Sequence, residues 1–161
     1  MLAAFVAASL YLLYVILRML PAVLRWAQKV VAVFGRRVVL AIDLDAPGSA
    51  EMVLATTRRC LSAGARSVVL AGGRGAPPGG KFDEQYSLLP LASELSKKLD
   101  HRVVYLRDCI GAEVEATCTG TTYASLIVLE NTRFRGALEV SRTLARLGDV
   151  DGDGKPLVTA A

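Results

Sequence analysis

No acidic residue occurs in the first 37 positions of this 161-residue chain, and no side-chain charge of either sign in the first 17. A cleaved secretory leader opens on a basic segment and ends on a small-x-small site. Neither is found before Arg37, which argues against a leader. The uncharged run "MLAAFVAASLYLLYVIL" is followed by Arg18 and then "MLPAVL". If the helix continues to Leu24 with Arg18 snorkelling, it is long enough for a hydrocarbon layer of about 30 Å. The expectation is therefore a transmembrane anchor over residues 1–24 and a basic amphipathic juxtamembrane segment over 25–36. The lipid bilayer is the first expected partner, in a single-pass arrangement. Arg18, Arg25, Lys29, Arg36 and Arg37 then place the following domain on the cytosolic or organelle-interior side. These five are among only 19 basic residues, so residues 38–161 keep 14 bases against 15 acids. The basic balance belongs to the anchor, and no nucleic-acid partner is expected.

Cysteine and histidine are also scarce. Cys60, Cys109 and Cys118 are odd in number and form no C-x-x-C pair, which excludes a disulfide framework and a zinc ribbon. Cys109 reads as a buried apolar thiol. The single histidine, His101, lies between a helix end and a strand with no catalytic company. "DVDGDG" at 149–154 opens like a calcium loop, but its twelfth position is Ala160, not a glutamate. "GGRGAPPGGKF" at 72–82 lacks what a nucleotide loop needs. Pro77 and Pro78 remove two N–H donors, and Phe82 stands where a magnesium-binding hydroxyl belongs. No metal site is expected.

What is present is strict alternation. Apolar runs at 38–44, 67–72, 102–108 and 125–131 read as buried strands. Helical stretches at 49–64, 87–99, 111–118 and 137–148 separate or follow them, with Ser49 and Ser87 as expected caps. Fully apolar strands joined by helices predict an α/β fold: a parallel sheet in a Rossmann-like three-layer domain over 37–150, with 151–161 as a C-terminal tail. In such sheets ligands bind at the carboxyl ends of the strands. Here those ends are 43–45, 72–80, 108–111 and 130–135.

Six segments in order, "VVLAIDLDAP", "VVLAGGRGAP", "YSLLPLASELSKKL", "DCIGAEVEA", "LIVLENTRFR" and "LARLGDV", together resemble the N-terminal domain of phosphoglycerate kinase, across roughly residues 36–150. The resemblance implies a half-enzyme that binds 3-phosphoglycerate and works with a second domain carrying Mg-ATP or Mg-ADP. That second domain is not part of this sequence, so no cofactor is expected on the chain itself. It also implies degenerate substrate-binding positions. Asp43 is kept, whereas Asp45 replaces an asparagine and Ala41 a basic residue. Gly73 stands at a histidine position, Ala76 at an arginine and Ser49 near another arginine. Arg133 is the retained substrate arginine, with Glu130 and Asn131 as neighbours, and Arg74 is new. If each lost charge-assisted hydrogen bond is worth about 1.5–3 kcal/mol, three lost bases weaken binding of a phosphorylated acid by roughly three to six decades. The expected role is a membrane-anchored, non-catalytic scaffold or complex subunit. A partner protein or a second copy would cover the face that a family member's second domain would occupy. The alternative is a truncated phosphoglycerate kinase, transferring a phosphoryl group between 1,3-bisphosphoglycerate and ADP.

Overall fold

The structure, a computed structural model, describes residues 33–149 and the backbone of 158–160. The anchor expected over 1–24, and the segment following it as far as residue 32, lie outside the described residues. Among those described, no helix is long and apolar enough to cross a membrane.

Strands β1 (Arg37–Asp43), β2 (Ser67–Gly73), β3 (Arg102–Tyr105), β4 (Ser125–Val128) and β5 (Val158–Ala160) form one parallel sheet in the order β3-β4-β2-β1-β5. Helices α1 (Ser49–Ser62), α2 (Leu89–Lys98), α3 (Ala112–Gly120) and α4 (Ala137–Leu147) complete the domain. Side chains alternate across the pleat, so each strand supplies both layers. Leu40, Ile42, Val68, Leu70, Leu126 and Val128 pack against α1 and α2 through Val53, Leu61, Ala92 and Leu95. Val39, Val69, Ala71, Ile127 and Leu129 face the other way, against Val114 and Cys118 of α3 and Val140 and Leu147 of α4. The expected three layers are thus present. The segment read as a tail contributes β5, which lies beside β1 with Val39 opposite Val158.

Three local expectations are corrected. β3 stops at Tyr105 rather than 108, because its neighbour β4 ends at Val128, directly opposite Tyr105. β4 stops short of 131 because Glu130 and Asn131 bond through their side chains to the loops. Ser49 does not cap α1. Gly48 precedes the helix with φ of 76°, a conformation that suits glycine, and the Ser49 hydroxyl donates back to the Leu44 carbonyl at 3.1 Å. Ser87 stands one residue ahead of Leu88, the residue that caps α2, and accepts the Leu89 N–H at 3.2 Å.

At the amino ends of the strands Arg37 is buried. Its backbone N–H and Nη2 donate to the Asp149 carboxylate at 2.7 and 3.2 Å, Nη1 donates to the Cys118 carbonyl at 3.0 Å, and Nε donates to the Leu147 carbonyl. Burial pushes the Cys109 thiol up to about 12, Asp108 adding to the effect, and the Cys118 thiol up to about 11. At pH 8 about one Cys109 in ten thousand and one Cys118 in a thousand would then be thiolate, the reactive form. Both should resist a thiol reagent in native buffer and react in urea, as mass spectrometry of the labelled chain would show. Rapid native labelling of either would contradict the packing.

Candidate functional site

The carboxyl ends of β1, β2 and β4 meet at a cluster of polar side chains. Glu130 and Asn131 follow β4 and are almost fully buried. Glu130 Oε1 accepts the N–H groups of Leu88 (2.8 Å) and Asn131 (2.7 Å). Its Oε2 accepts the Ser87 hydroxyl (2.8 Å) and the Tyr105 hydroxyl. Four donors thus hold a carboxylate that, among the described residues, no cation contacts. Burial, then the bond to Glu130, keeps the Tyr105 phenol above its usual range.

Asn131 ties the loops together. Its Oδ1 accepts the N–H groups of Arg74 (3.1 Å) and Arg133 (3.0 Å), and its Nδ2 donates to the carbonyls of Arg74 (2.7 Å) and Tyr86 (3.0 Å). Thr132 Oγ1 donates to the Gly72 carbonyl at 3.0 Å. A short 3-10 turn at Thr132–Phe134 aims Arg133 across the end of β2. A Cβ at Gly73 would stand 3.0 Å from Arg133 Nε, so the arginine lies over bare backbone there. Gly75 has φ of 63°, and a Cβ would meet the Tyr86 ring at 2.2 Å, so any other residue would strain the backbone and displace the ring.

Of the four residues singled out in the sequence, three converge. Arg133 Nη2 lies 3.0 Å from Asp43 Oδ1, and Nη1 lies 2.5 Å from Asp45 Oδ2 while also donating to the Gly75 carbonyl. Asp45 takes the Gly75 N–H on both oxygens, at 2.8 and 3.1 Å. That amide, followed by Arg133, holds the Asp45 carboxyl below the usual carboxylate range. Arg74 is exposed, and its side chain has no hydrogen bond or ion pair among the described residues; it acts on Asp45 only as a nearby positive charge. Restoring a histidine at 73 would therefore require Arg133 to move first.

Sequence reasoning pointed to the strand ends but missed what lies beside them. A cleft of about 260 Å³ is bordered by Lys81, Phe82, Arg107, Asp108, Phe134 and Arg135. Phe82 and Phe134 form a tilted ring pair at 5.4 Å. Arg135 forks onto Asp108, its Nε at 3.1 Å. Burial raises the Asp108 carboxyl, but this arginine and the Cys109 amide outweigh it, so the net shift is downward. A clue was available in Asp108 and Arg135 standing at two different strand ends. Their pairing depends on β3 and β4 being neighbours.

The 72–82 loop does not fit a nucleotide's phosphate chain. Besides the two prolines, the N–H groups of Gly80 and Lys81 are bonded within the turn, to the Pro77 and Pro78 carbonyls at 3.3 and 3.4 Å. Among the described residues no group of three His, Cys, Asp or Glu could hold a metal ion.

A family model described as phosphoglycerate kinase matches residues 29–150. "Phosphoglycerate kinase 2" of Sus scrofa is 40% identical over 109 residues, covering 62% of this chain and 26% of that protein. The Equus caballus protein of the same name is 33% identical over 145 residues, covering 72% of this chain and 35% of its own length. Among solved structures, phosphoglycerate kinase from Pyrococcus horikoshii OT3 matches with a TM-score of 0.63 at 22% identity, over 80% of this chain and 34% of that one. The Coxiella burnetii enzyme gives a TM-score of 0.51 at 26% identity over 74% and 32%. The chain spans between a quarter and about a third of the length of these curated relatives.

Proposed function

The chain belongs to the phosphoglycerate kinase family, and from that premise we propose that it is the acid-substrate portion of a phosphoglycerate kinase, a part of the glycolytic transferase that exchanges a phosphoryl group between 1,3-bisphosphoglycerate and ADP. The observation that carries this reading is the family match over 29–150, on a parallel sheet whose carboxyl ends hold Arg133 on a buried Asn131 frame. Phosphoryl transfer asks the protein for positioning and for cations near the transferring oxygens, not for covalent chemistry. Arg133 and Arg74 are cations that this chain supplies beside the ends of β1 and β2. The nucleotide, when bound elsewhere in the whole enzyme, supplies the phosphoryl acceptor or donor. The described residues orient only the acid.

One observation favours a second reading, a non-catalytic domain kept as a scaffold whose open face a partner protein or second copy covers. Arg133 is already engaged by two carboxylates, and glycine and alanine occupy positions 73 and 76. Calorimetric titration of the full chain with 3-phosphoglycerate separates the two. The proposed function expects weak but saturable binding that Arg133→Ala abolishes. Absence of any saturable heat would remove the substrate-holding role and leave the scaffold.

A further inference from the structure

An oxyanion needs N–H donors converging on its oxygens from more than one side, held there by something other than the anion itself. The structure contains such an arrangement, and the chain's own carboxylate fills it. The Gly75 amide addresses both oxygens of Asp45, at 2.8 and 3.1 Å, and Arg133 Nη1, from the loop after β4, reaches Oδ2 at 2.5 Å. Both donors have supports besides Asp45. The fully buried Asn131 fixes the backbone of Arg74 and Arg133 through one oxygen, at 3.1 and 3.0 Å. Gly75 is seated against the Tyr86 ring, which a side chain there would displace, and Arg133 rests over the bare backbone of Gly73. Asp45, by contrast, is on the loop after β1 and is 46% exposed at its side chain.

We infer that Asp45 is the resident occupant of an anion cradle built from the Gly75 amide and the Arg133 guanidinium, and that this one carboxylate competes with small phosphate- or carboxylate-bearing molecules for the site and weakens their binding. Asp43, Asp45, Arg74 and Arg133 sum to zero formal charge as the chain stands. Removing the Asp45 charge leaves a net positive cradle, while Asp43 still holds the guanidinium's other nitrogen at 3.0 Å. The identity of the natural anion rests on the function proposed above; the cradle does not.

The test uses the full chain in detergent micelles, as wild type, Asp45→Asn, Asp45→Ser and Asp45→Asn with Arg133→Ala. Inorganic phosphate, 3-phosphoglycerate and glycerate are titrated by calorimetry at low salt, and the Gly75 amide is followed by NMR with nitrogen-labelled glycine. One restored charge-assisted contact corresponds to a gain of about tenfold or more. Asp45→Asn and Asp45→Ser should therefore bind inorganic phosphate at least about tenfold more tightly than wild type, with the Gly75 resonance moving on saturation, and the double variant should lose the gain. No gain in either single variant, with the glycine spectrum showing a folded chain, overturns the inference. So does wild type binding phosphate as tightly as the variants. A gain for phosphate but none for 3-phosphoglycerate sustains the cradle and counts against the proposed substrate. A gain for glycerate alone would assign the cradle to a carboxylate.

Discussion

Replacing Glu130 by alanine is expected to destabilise the domain by about 4 kcal/mol, whereas Glu130→Gln should cost only about 1–2 kcal/mol. The difference follows from which donors can turn. Oε1 accepts two backbone N–H groups, from Leu88 and Asn131, fixed by the start of α2 and the end of β4. In the alanine variant both are buried without a partner, at about 1–3 kcal/mol each, and a cavity is left as well. Glutamine can keep its carbonyl oxygen on those two and present its amide to the hydroxyls of Ser87 and Tyr105, which rotate to accept. Urea unfolding of the three proteins checks the ordering. Equal losses for Gln and Ala would mean that the charge, not the acceptor geometry, matters. The alanine variant should also loosen the 72–75 loop, since Asn131 is anchored partly through its own N–H to Glu130.

The second large effect lies at the opposite end of the sheet. Asp149→Ala is expected to cost about 3 kcal/mol, near the lower bound for breaking a buried ion pair because Asp149 itself is partly open to water. Arg37 would keep its two carbonyl acceptors, but its side chain is only 7% exposed and its charge would lose its carboxylate. Its backbone N–H would lose its acceptor too. Combining Asp149→Ala with Arg37→Met should recover part of the loss, because removing both charges is less costly than stranding one. Denaturant midpoints of the single and double variants decide it. A double variant less stable than Asp149→Ala alone would show that the methylene stem of Arg37, not its charge, is what the site needs. Both variants leave the carboxyl-end cluster untouched.

The alternation of strand and helix was legible in the sequence because strands buried on both faces read as unbroken apolar runs. Val38–Leu40, Val68–Leu70 and Leu126–Leu129 are short and rich in β-branched residues, which favours strand over helix. The carboxyl-end position of the site followed from that topology. The expectation that cations are missing at 73 and 76 came instead from the resemblance to the phosphoglycerate kinase family. The strand ends were harder, since a ladder stops where its neighbour stops: Tyr105 ends β3 on account of Val128, 23 positions away in sequence. Ser49 looked like a cap by type and position, yet its hydroxyl found the end of β1 nearer than its own helix.

Composition, periodicity and motif order determined by themselves a parallel three-layer domain, its family, and the residues standing at its strand ends, because each depends on neighbours along the chain or on a pattern repeated within it. Only the folded structure decided that Arg133 spends its charge on Asp43 and Asp45, that the Arg74 side chain bonds to neither, and that Arg37 is buried on Asp149. Those pairings join residues 88, 90 and 112 positions apart. No local preference encodes such a distance; the strand order of the sheet does.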